Sequence, residues 1–113
     1  MTIDWNQIVK DVEAQVLALA EKIFEEYSKE ASLDAKNFLE NSADKLKRWT
    51  TMVASAIIDK EEFQSLVKGQ LDVAEFHALK QTGLVQVRID MFKNGLVTIV
   101  TTAVLGAIKG IME

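Results

Sequence analysis

The stretch Lys93–Met112, KNGLVTIVTTAVLGAIKGIM, decides the fold. It opens on Asn94-Gly95, a favoured pair for the tight turn of a β-hairpin, and the β-branched run that follows suits a strand. Upstream, Val85, Val87, Ile89 and Met91 alternate with Gln86, Arg88 and Asp90, as a first hairpin arm would. An α+β chain with a C-terminal β-hairpin around Asn94-Gly95 is therefore one expectation. A single helix is the other, and the polar residues favour it. Thr82, Gln86, Asp90, Asn94, Thr98 and Thr102 are spaced by four throughout, and the line continues through Gly106 and Gly110. A hairpin has no reason to keep a four-residue register across its own turn; a helix keeps it by geometry. Two isolated arms would also lack other strands to pair with, since nothing upstream reads as β.

As a helix this segment is apolar over most of its circumference, through Leu96, Val97, Ile99, Val100, Ala103, Val104, Ala107, Ile108 and Ile111. Thr98, Thr102, Gly106 and Gly110 form a narrow stripe of small residues along which another helix could approach closely. Gly106-x-x-x-Gly110 has the spacing that favours tight crossings in membranes, a weak signal when it stands alone. The uncharged run from Asn94 to Ile108 is fifteen residues. That is short of the ~20 a bilayer span needs. Lys109 then marks an end. A buried central helix is the ordinary expectation, and a helix lying on or entering a lipid surface is its rival.

Working outward, the apolar residues Trp5, Ile8, Val12, Val16, Leu19, Ile23, Tyr27 and Ala31 recur in steps of three and four, one stripe of an α-helix. Asp4 is placed to cap it. The rhythm resumes as Ala35, Phe38, Leu39, Ser42, Leu46, Trp49, Val53 and Ile57. A break is expected near Ser32, which would cap the second helix; one continuous helix from Asp4 to Ile58 is the alternative. Asp59-Lys60-Glu61-Glu62 has the form of a capping box. Phe63, Leu66, Val67, Leu71, Ala74, Ala78 and Leu79 mark a third helix, with Thr82-Gly83 as its stop. Four helices result, near 4–31, 33–58, 60–82 and 84–112.

The chain has 113 residues, the size of one domain, and residues 1–113 are expected to form a single helical unit. Proline, the strongest helix breaker, is absent, and all five glycines fall at or after Gly69. Without cysteine there are no disulfides, thiolate metal sites or cysteine nucleophiles. Residues 1–62 carry eight Lys/Arg against thirteen Asp/Glu, and residues 63–113 five against four. An acidic chain without a basic patch is a poor partner for nucleic acid, whose binding depends on neutralising phosphates. The N-terminus MTIDWNQ lacks the basic-then-apolar run of a signal peptide, so the expected location is cytoplasmic.

No constellation points to catalysis. His77 is the only histidine, and the residue three before it, which a di-iron Glu-x-x-His pair would need as Glu, is Ala74. Glu75 stands two positions away, on a different face of a helix. One histidine without cysteine does not make a zinc site, so no metal and no cofactor is expected. Glu21, Glu25, Glu26 and Glu30 cluster on the first helix opposite its apolar stripe and read as a solvated face. There is no Gly-rich phosphate loop and no G-x-S-x-G. The aromatic residues mostly sit at core positions; Trp5, near a terminus, is the candidate interface anchor.

The expectation is an all-α, antiparallel, four-helix bundle-like fold, completed by oligomerisation because the last helix is too apolar for a four-helix monomer. Its function is that of a non-enzymatic assembly or protein-interaction module, of bacterial or phage type. A homo-oligomer, a dimer first, would form through Leu96, Ile99, Val100, Ala103, Gly106, Ala107, Gly110 and Ile111, with Trp5. Another protein is a second possible partner. The alternative is a peripheral membrane protein acting through residues 84–112.

Overall fold

The structure, a computed structural model, describes residues 3–112, with side chains through Lys109. Among the described residues there are six α-helices and no strand: α1 (Trp5–Phe24), α2 (Ser28–Asn41), α3 (Ala43–Ala54), α4 (Lys60–Val73), α5 (His77–Gln81) and α6 (Gln86–Met112). The hairpin alternative falls. Asn94 and Gly95 lie inside the uninterrupted α6, and the four-residue polar line becomes its solvent-facing edge, with Gln86, Asp90, Thr98, Thr102 and Gly106 exposed.

The helices form four rods in a body of 43 × 23 × 19 Å. Arg88 of α6 reaches the carbonyl of Ile23 at the end of α1, while Thr102 to Ala107 face Asp4 to Gln15 at its start; the two helices are therefore antiparallel. Asp34 of α2 bonds residues 78 and 79, and Lys45 of α3 reaches Gln70 of α4, so α2 and α3 run against α4. The rods alternate up and down. α6 packs between α1 and α4, α2 packs on α1, and α3 closes onto α4. The core lies where they meet, built on Val12, Val16 and Ala20, on Ala35 and Leu46, on Phe63, Val67 and Leu71, and on Phe92, Leu96, Val100 and Val104, all buried.

Local chemistry sets several ends as expected. The Asp4 carboxylate accepts from the Gln7 amide at 3.2 Å. Asp59 and Glu62 form a reciprocal capping box, with bonds of 2.8 and 3.2 Å. Gly83 takes the left-handed conformation, φ 84°, after α5. Ala56 does the same at φ 59° after α3. The Ile57 amide bonds the Met52 carbonyl and the Ala56 amide bonds that of Val53, the double bond of a Schellman cap usually given to glycine.

Three breaks differ from expectation. The chain turns at Glu25–Tyr27, a 3₁₀ segment, and α2 runs straight through Ser32. Nothing in Glu25-Glu26-Tyr27 signals a stop; the turn sits where Arg88, from α6, takes up the Ile23 carbonyl at 2.6 Å. The second rod bends at Ser42, which is buried, and ends at Ala54 rather than residue 58. The third rod is interrupted at residues 74–76. Had the helix continued, Phe76 would stand about 140° from Leu71 and point to water. The break turns Phe76 inward to 4% exposure, against Phe92.

Candidate functional site

Between the first half of α1 and the last third of α6 the two helices leave an open groove of about 590 Å³. The α6 wall consists of Thr102, Ala103, Gly106 and Ala107. The α1 wall carries Asp4, Gln7, Asp11 and Gln15, with Ile8 and Ala14 also lining it. Its polar groups are partly engaged with one another: Asp4 caps α1, and the Gln7 side-chain amide donates to Asp11 at 3.1 Å. Gly106 is exposed, and among the described residues no atom outside its own helix lies within 4 Å of where a Cβ would stand.

The residues expected at an interface divide sharply. Ala103, Gly106 and Ala107 share the groove wall. Ile99 and Trp5 are half-buried against the core of the same chain. Leu96 and Val100, at 2% and 1% exposure, lie inside the bundle, where their own chain covers them. Gly110 and Ile111 lie outside the residues whose side chains are described.

A second, smaller groove of about 260 Å³ separates α1 from α2, lined by Glu13, Val16, Leu17, Ser32, Ala35, Lys36 and Leu39. Its lining is apolar apart from the rim, and the Ser32 hydroxyl is buried without a hydrogen-bond partner.

The opposite end of the α1–α6 pair is closed. Phe92 meets Phe24 edge-on at 5.3 Å and Phe76 at 6.1 Å. The Arg88 guanidinium lies 5.5 Å from the Phe24 ring centre, and the Lys93 ammonium 5.1 Å from that of Phe76. Here Gly95 abuts Leu19, whose Cδ2 is 2.5 Å from where a Cβ would sit.

Two polar residues that periodicity overlooks sit at the same end. Asp34, 4% exposed, accepts from the amides of Ala78 and Leu79 at 3.0 and 2.8 Å. A sequence signal for it exists: an acidic residue on the same face as Ala31, Ala35 and Phe38. Lys93 donates to the Ala74 carbonyl at 2.7 Å. His77 and Glu75 do meet, at 3.1 Å, because residues 74–76 are non-helical. Both are about 70% exposed, and the contact is a surface one. Among the described residues no group of three acidic or histidine side chains could hold a metal ion.

Gln86–Lys109 is long and apolar enough to cross a membrane, at a mean hydropathy of 1.5; buried core helices pass the same test, and 44% of its most apolar 18-residue stretch lies inside the bundle. No family model, curated protein or solved structure matches the chain.

Proposed function

We propose that the chain is a non-enzymatic helical module that acts by association, most simply as a homodimer, with the groove between α1 and α6 as the contact. The observation that supports this is Gly106, exposed on a wall of Thr102, Ala103 and Ala107 with none of the described residues of another helix against it. A helix surface with no side chain larger than threonine lets a second helix come close, which increases dispersion contact along the seam. A two-fold dimer would use the same patch on both subunits, so one substitution changes both sides of the contact. Light scattering at micromolar concentration is expected to give twice the chain mass. Gly106→Leu, which fills the groove, should return the mass to that of one chain with the helix content unchanged. A wild-type monomer at that concentration would sink the proposal.

The second reading is association with a membrane surface through α6, favoured by the length and apolarity of Gln86–Lys109. It needs an opening step, because Leu96, Val97, Val100, Val104 and Ile108 face the core. Lipid meets them only once α6 has left α1 and α4. Flotation with anionic vesicles separates the two readings: a protein that stays at the bottom of the gradient is not acting this way.

A further inference from the structure

The connector between α4 and α6 is built unlike the rest of the bundle. Residues 74–76 are non-helical, α5 has five residues, and Thr82-Gly83 turns the chain into α6. A helix of five residues does not form unaided, because nucleation costs more than so few bonds return. α5 also lacks a cap of its own: Phe76, at the capping position, has no side-chain acceptor. Two free amides of its first turn are satisfied instead by Asp34, 44 and 45 residues away, whose carboxylate is buried to receive them. On the other side Lys93 of α6 holds the Ala74 carbonyl and lies beside the Phe76 ring.

We propose that residues 74–85 form a strap, docked by Asp34 from one side and Lys93 from the other, that opens as one unit while α1, α2, α3, α4 and α6 stay folded. The balance of forces favours separate opening. Undocking exposes two buried apolar side chains, Phe76 and Leu79, and returns the Asp34 carboxylate to water, whereas opening α1, α2, α4 or α6 exposes more of the apolar core. Release bares the seats of Phe76 and Leu79, an apolar surface that the closed bundle hides. It also slackens the link that holds α6 beside α4.

Residue-resolved hydrogen exchange on the full chain, under conditions where opening is a rapid pre-equilibrium, tests this. The amides of Ala78, Leu79, Lys80, Thr82 and Gly83 all bond to Asp34 or within the strap. In the wild type they should exchange together, at least about tenfold faster than the slowest core amides of α1 and α6. Asp34→Ala removes both charge-assisted acceptors, so strap exchange should rise by at least about tenfold again. The core amides should stay within about twofold of their wild-type values. Lys93→Met leaves Asp34 in place and should speed the same five amides by a smaller factor. Strap amides as slow as the core in the wild type would overturn the proposal. So would a substitution that speeds strap and core equally, or one that leaves the strap unmoved.

Discussion

Gly95 and Gly106 stand on the same helix, both beside α1, in opposite circumstances. At Gly95 the missing Cβ is what admits Leu19, and the helices are in contact through their smallest residue. At Gly106 the missing Cβ admits nothing, and the helices stand apart around a groove. The α1–α6 pair is thus closed at one end, by the crossing at Gly95 and the Phe24, Phe92 and Phe76 contacts, and open at the other. A glycine inside a helix costs about 1 kcal/mol against alanine wherever it sits. At the closed end the packing it permits inside the chain offsets that cost. At the open end no contact among the described residues does.

The sharpest way to break this contrast is at Phe92, fully buried and edge-on to two rings. Phe92→Ala should cost about 3–5 kcal/mol, read as a lower urea midpoint, since truncation leaves a cavity and removes both aromatic contacts. A loss below about 0.5 kcal/mol, the size of an ordinary surface effect, would mean that the closed end does not hold the pair together. Gly95→Leu is next, at about 1–3 kcal/mol, the usual penalty for overpacking. Gly95→Ala should be close to neutral: Leu19 is half-buried and swings aside, while the helix gains about 1 kcal/mol of propensity. Equal effects of alanine and leucine at this position would show that the crossing is loose.

What is legible in the chain follows from how far each cause acts. Asp4, the Asp59–Glu62 box and Gly83 act within three or four residues, and their helix ends stand where the residues put them. The polar line from Gln86 to Thr102 outweighs the Asn-Gly turn signal because a register held over four turns is stronger than one dipeptide. The breaks at Glu25–Tyr27 and at residues 74–76 are illegible for the opposite reason. Arg88 acts across 65 residues on the first. Asp34 and Lys93 act across 44 and 19 on the second. Phe76 escapes notice with it, since it reaches the core only through the break.

The candidate site is legible in part. Periodicity identifies the apolar face of α6 but not what covers it. It gives Leu96 and Val100 to a second copy, whereas α1 and α4 of the same chain enclose them. Of the expected interface residues whose side chains are described, Ala103, Gly106 and Ala107 line the open groove. The distinction turns on the interior of the bundle, which a helical wheel does not contain.

The smallest effect separates a spare glycine from one that a partner uses. Gly69 and Gly106 are both helical and exposed, and at neither does an atom of the described residues outside its own helix lie within 4 Å of where a Cβ would stand. In a dilute monomer, Gly69→Ala and Gly106→Ala should therefore stabilise equally, by about 0.5–1 kcal/mol, through the unfolded chain's lost freedom alone. If a second copy seats on the groove, the two must part as concentration rises. Association adds to the stability of any folded state it binds, and a methyl group at Gly106 stands in the way of that contact while one at Gly69 does not. Thermal midpoints measured from nanomolar to high micromolar chain should rise for Gly69→Ala as for the wild type. For Gly106→Ala they should flatten. Parallel curves for both variants would make Gly106 as idle as Gly69 and leave the groove without an occupant.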